Sequence, residues 1–177
     1  MQNSQVPPTA IDKSVTPSII AAKQINYTNF EETKKVATFK VKVPKKIPQG
    51  YHLTQLQHMR PDLPNIPETV HNDTVSAIYS NGQNQFTIIQ GYFSGGDVPK
   101  GPQGSMEGTA DVSGVKAKWV EGSWAIVKEP TLGDPSSQKE WRTEPLRLGW
   151  YKDNLGYSIL TDGLKLRDLV DIANSLE

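Results

Sequence analysis

Three histidines, a run of lysines, four tryptophans and one glycine-spaced loop are the groups in this 177-residue chain that could do chemistry. His52 and His58 are an even number of residues apart, so one strand would place both on the same face. A zinc centre needs a third ligand and a supporting outer shell. The spacing offers neither, so the histidines, His71 included, read as solvated or hydrogen-bonded. Glu31 and Glu32 fall at an expected helix start, where the helix dipole favours acids. Asp168 and Asp171 fall on the polar face of an expected helix. A glycosidase pair is defined by its carboxyl separation, a tertiary property that sequence does not carry. The stretch GDVPKG, residues 96–101, has the glycine spacing of a phosphate loop. Pro102 and Gln103 stand where the lysine and hydroxyl residue should follow, so the match fails. No catalytic, cofactor-binding or metal-ligating residue is therefore assigned.

Binding candidates remain. Lys34, Lys35, Lys40, Lys42, Lys45 and Lys46 form a local basic run with no acid among them. On a strand, Lys40 and Lys42 would share the face away from Phe39 and Val41. Two readings stay open: a solvated face that protects a sheet edge, or contact with an anionic membrane surface or wall polymer. Trp119 and Trp150 lie in strand patterns and read as core. Trp124 and Trp141 flank an irregular stretch, where they either pack under a loop or present an exposed pair to a ligand or partner. The candidate binding surface is thus Trp124 and Trp141 with Lys40, Lys42, Lys45 and Lys46.

The totals narrow the class. Lysine plus arginine equals aspartate plus glutamate, 19 each, so no global charge draws the chain to nucleic acid. Cysteine is absent, which excludes disulfides and thiol chemistry. The longest apolar run near the start, residues 19–22, falls far short of the roughly 18 residues of a membrane span. No basic region followed by an apolar one marks a signal peptide. Two placements stay open: a cytosolic protein, or a chain whose exporting or anchoring segment lies upstream.

Residues 1–26 are polar and proline-punctuated, and read as a flexible linker or tail before a single domain over 27–177. Thr28 and Glu31 form a capping-box pattern for a helix over 29–37. Phe39, Val41 and Val43 alternate with lysines as in a half-buried strand. A second strand starts at Tyr51, with Leu56 out of phase. Prolines in RPDLPNIPE mark a loop. Asn81-Gly82 joins two strands in the clearest hairpin, and Ser113-Gly114 is another tight turn. Residues 123–145 read as a short strand near 125–127 and then a long loop. Leu146, Leu148 and Trp150, then Tyr157, Ile159 and Thr161, make a last hairpin around Asp153-Asn154, with Gly156 available for a left-handed position. Leu166, Leu169, Val170, Ala173 and Leu176 recur at helical spacing. The order predicts an α+β domain: an antiparallel sheet with an N-terminal and a C-terminal helix.

Four blocks together carry a resemblance: NFEETKKVATFKVKVPKKIPQGYHL, VSAIYSNGQNQFTIIQG, VSGVKAKW and LGWYKDNLGYSILTDGLKLRDLVDIANSL. In this order the chain resembles a bacterial domain family of unknown function, the DUF4367 type, over about residues 28–176. The 123–145 stretch is longer than that pattern. The resemblance implies a curved antiparallel sheet with both helices packed on one face. It also implies an extracytoplasmic domain of a membrane-anchored protein, of the anti-sigma-factor or sporulation-related kind, and it brings no catalytic residues. The expected function is a non-enzymatic sensor or interaction domain whose partner is a protein or envelope ligand. A lipid or lipoprotein carrier is the alternative, and a wall-polymer hydrolase ranks last.

Overall fold

The protein is described by a computed structural model covering residues 22–61, 72–92, 98, 101, 103–128 and 138–177, with backbone alone for 22, 123–128, 138–141, 143 and 144. Eight strands and two helices follow one another: β1 (Ala22–Tyr27), α1 (Phe30–Val36), β2 (His52–Pro61), β3 (Thr74–Ser80), β4 (Gln85–Gly91), β5 (Met106–Val112), β6 (Val115–Lys128), β7 (Gln138–Lys152), β8 (Leu155–Thr161) and α2 (Leu166–Asn174). The strands form one antiparallel sheet in the order β1-β2-β3-β4-β8-β7-β6-β5. The fold is α+β. Two four-strand meanders lie side by side, and the β4–β8 pairing is the seam between them.

Alternation aligns the apolar residues across the whole sheet. Leu56, Ala77, Ile88, Ile159, Leu148 and Trp119 stand opposite one another from strand to strand. Directly opposed residues share a face, so this row is one side of the core. From α2, Leu169, Ile172 and Ala173 join the same core. Removing each large aliphatic side chain from water contributes about 2 kcal/mol.

The turns follow the residues that tolerate positive φ. Ser113 and Gly114 (φ 51° and 79°) close β5–β6, and Asp153 and Asn154 (φ 53° and 61°) close β7–β8. These are the left-handed pairs that tight hairpins require. Gly156, expected to take that conformation, sits instead within β8.

Several expectations are corrected. The sheet begins at Ala22, inside the stretch expected as tail; residues 1–21 lie outside the described ones. Helix α1 is capped by Asn29, whose side chain accepts from Glu32 N–H at 3.0 Å, one residue later than the expected Thr28 cap. The expected strand over 39–43 is an extended strap outside the sheet. Gln90 holds it through both ends of its amide: Lys42 N–H donates to Oε1 and Nε2 donates to Lys42 C=O, each at 2.8 Å. Farther along, Val43 N–H donates to Glu177 C=O at 2.9 Å and Lys45 N–H to Ser175 C=O at 3.1 Å. Pro44 has no N–H for a ladder, so the strap runs between the sheet and residues 175–177.

Candidate functional site

The 123–145 stretch is mostly strand rather than loop. Strands β6 and β7 continue past their neighbours. Pairing of β5 with β6 ends at Glu121, and pairing of β8 with β7 at Leu146. Beyond those points Ser123 pairs with Arg142, Trp124 with Trp141, Ala125 with Glu140 and Lys128 with Gln138. A two-stranded arm thus continues the β6–β7 pair beyond its neighbours, with residues 123–128 amounting to about 20 Å of strand at roughly 3.3 Å per residue. Register shifts between Glu121 and Ser123 and between Ile126 and Lys128 mark bulges, and bulges bend a ribbon and strengthen its twist. Trp124 and Trp141 occupy opposed register positions on the arm; their side chains lie outside the described residues, as do residues 129–137.

The lysine run disperses in space. Lys34 binds Glu31 at 2.8 Å, which holds the Glu31 carboxyl below its usual range. Lys45 lies 3.6 Å from Glu177. The Lys42 ammonium sits 5.7 Å from the centre of the Tyr157 ring, so Lys42 does not share an exposed row with Lys40. Lys40 and Lys46 are exposed.

The histidines part company too. A register shift between Leu53 and Gln55 inserts one extra residue into β2. A one-residue slip exchanges the faces of a strand. His52 is therefore exposed opposite Ser80, while His58 is 6% exposed opposite Val75 in the core. The same bulge accounts for the phase of Leu56. His71 lies outside the described residues.

His58 leads to a cluster that motif reading missed. Its Nε2 lies 2.9 Å from Oδ2 of Asp73, a carboxylate with no exposed surface. Thr38 N–H donates to the same oxygen at 2.9 Å, and the Thr38 hydroxyl donates to Oδ1. Arg60 Nη2 is 3.8 Å away. Burial pushes the Asp73 carboxyl up, but the bonds from Thr38, His58 and the backbone together bring it below its usual value. An ionised carboxylate only accepts, so His58 donates to Asp73 through Nε2–H. Among the described residues Nδ1 has no protein partner. Among the described residues the His58 side chain hydrogen-bonds to Asp73 alone. The arrangement ties the strap, β2 and the start of β3 to one buried charge.

No protein-family model, curated protein or solved structure matches this chain.

Among the described residues, side chains pack closely between the sheet and α2. Phe86, Ile88, Leu148, Tyr157, Leu169 and Ile172 are each below 2% exposed. The hollow beside Tyr157 and Ala173 measures about 20 Å3, the room of one water. Among the described residues the buried Tyr157 Oη has no hydrogen-bond partner.

Proposed function

We propose that this chain is a non-enzymatic interaction domain of an extracytoplasmic, membrane-tethered protein, and that the β6–β7 arm is its contact element. The arm is the observation that carries this reading. An isolated two-stranded ribbon is marginal in water, and among the described residues the arm strands pair only with each other. Such a ribbon gains stability when a partner adds to its edge or covers its face. The resemblance to the DUF4367 type supports the tether and the envelope setting. In the same reading both helices cover the core face of a curved sheet. Among the described residues, the close packing of side chains between the sheet and α2 favours a contact role over an acyl carrier at that place.

The test is fractionation of the cells that make the protein, blotted with antibody raised against the domain. A membrane-fraction band larger than 19.6 kDa supports the tether. A soluble 19.6 kDa band refutes it. Replacing residues 124–141 by Asn-Gly should leave thermal unfolding cooperative while abolishing crosslinks to the envelope partner. Unchanged crosslinks would remove the arm from the proposal.

A further inference from the structure

A second surface lies at the other end of the sheet, independent of the arm. Strand β1 pairs with β2 so that Lys23 stands opposite Arg60, Ile25 opposite His58 and Tyr27 opposite Leu56. Alternation puts all six on one face. Helix α1 packs against both strands and brings Val36 to the same place. Lys23, Ile25, Tyr27, Val36, His58 and Arg60 together line a depression of about 320 Å3, the lower end of the range for small-molecule sites.

Two features of this depression are costly without a ligand. Lys23 and Arg60 are like charges at directly opposed positions, which destabilises a sheet pair. Among the described residues Lys23 has no protein partner, and Arg60 has only the 3.8 Å approach to Asp73. Ile25 and Val36 are large apolar side chains left 37% and 39% exposed beside them.

The charges can be counted. Lys23 and Arg60 bring two positive charges, and Asp73 brings one negative. Asp73 is sealed behind His58 and Thr38 and cannot itself meet a ligand. Positive charge is left over at the mouth. The remaining fork of the Arg60 guanidinium suits a planar carboxylate, and the His58 imidazole lines the same depression. Ile25, Val36 and the ring of Tyr27 supply an apolar wall for a hydrocarbon body.

We infer that this depression binds a small amphiphilic carboxylate, with its headgroup between Arg60 and Lys23 and its chain along Ile25, Tyr27 and Val36. The buried Asp73–His58–Thr38 cluster is the foundation that fixes the inner wall. The site uses none of the residues of the arm, so it stands or falls separately from the contact role proposed for the arm.

Isothermal titration of the full chain with octanoate tests the inference, with 1-octanol as the neutral control of equal chain length. Octanoate should bind and 1-octanol should not. Arg60→Gln should weaken octanoate by about tenfold or more, the effect of losing one charge-assisted bond. Val36→Glu, a change at an exposed position, should abolish binding by setting a carboxylate against the headgroup site. Both positions are partly solvent-exposed, and melting temperatures within a few degrees of wild type would confirm the variants fold. Absence of octanoate binding, equal binding of 1-octanol, or octanoate affinity unchanged in both variants would overturn the inference.

Discussion

Asp73 offers the sharpest test of how this fold is held together. Its carboxylate accepts two N–H bonds on one oxygen, from Thr38 and His58, and a hydroxyl bond on the other. Asp73→Asn can keep this geometry. The amide oxygen takes the position of Oδ2, the NH2 faces Thr38, and the threonine hydroxyl turns to accept. What is lost is the charge on two bonds, each worth about 1 kcal/mol more to an ionised than to a neutral acceptor. Asp73→Asn should therefore cost about 2 kcal/mol. Asp73→Ala strands the Thr38 N–H and the His58 Nε2–H, at about 1–3 kcal/mol for each unsatisfied group, and should cost about 4 kcal/mol. Urea unfolding at pH 7 measures both, provided the slope stays constant across the variants. The pH dependence has a definite sign. The folded pKa of Asp73 lies below its unfolded value of 3.8, so the carboxylate contributes its stabilisation above that value. The contribution fades as pH falls through the folded pKa. The gap between wild type and Asp73→Asn should therefore narrow below about pH 4. Equal costs for the two substitutions, or a gap that widens on acidification, would refute the account of Asp73 as an ionised hub.

Two further substitutions probe what surrounds it. Gln90→Leu fits the core in size but strands both the N–H and the C=O of Lys42; it should cost about 2–4 kcal/mol, and hydrogen exchange at Lys42 and Val43 should accelerate more than at Ile88. Gly91 has φ 141°, and an added Cβ would run into the Asp73 carbonyl and lie 2.9 Å from Thr74 Cα; Gly91→Ala should lower the melting temperature by several degrees, the equivalent of about 2–3 kcal/mol.

The parts of the fold that were legible in sequence are those whose signals are local. Asn81-Gly82, Ser113-Gly114 and Asp153-Asn154 each announce a turn by residue type, and the strands beside them alternate at period two. The spacing from Leu166 to Leu176 announces α2. The strap failed that test because its residues alternate as a strand does, while its hydrogen bonds go to a glutamine side chain 48 residues away and to residues near 175. The strand β1 offers only Ile25 and Tyr27 as an alternating apolar pair, because Lys23 continues its inward face into a half-polar depression. The Asp73 cluster joins residues 35 and 15 positions apart, and no spacing rule reaches across such gaps. One hint was present: His58 follows Leu56 on the buried phase of β2, and a histidine in an apolar row needs a polar partner. The bulge at Thr54 concealed that phase. The lysine run misled in the opposite way, because adjacency along the chain says nothing about where each ammonium finds its counter-charge.

The β4–β8 seam also sets the order in which the molecule can form. Strands β1 to β4 are local and can pair as soon as they are made, but β4 then presents Phe86 and Ile88 along an unpaired edge. Its natural neighbour starts at Leu155, more than sixty residues later, after the entire second meander. Until β8 arrives, that edge is a template for another chain, the situation in which half-made sheets associate wrongly. The second meander has the mirror problem at β8. Closing the seam is the long-range step that should limit the folding rate, and the strap can lock only afterwards, because it leans on both Gln90 and the residues around Ser175. Fast dilution from denaturant at high protein concentration should therefore favour intermolecular pairing, and slow, dilute refolding should favour the single closed sheet.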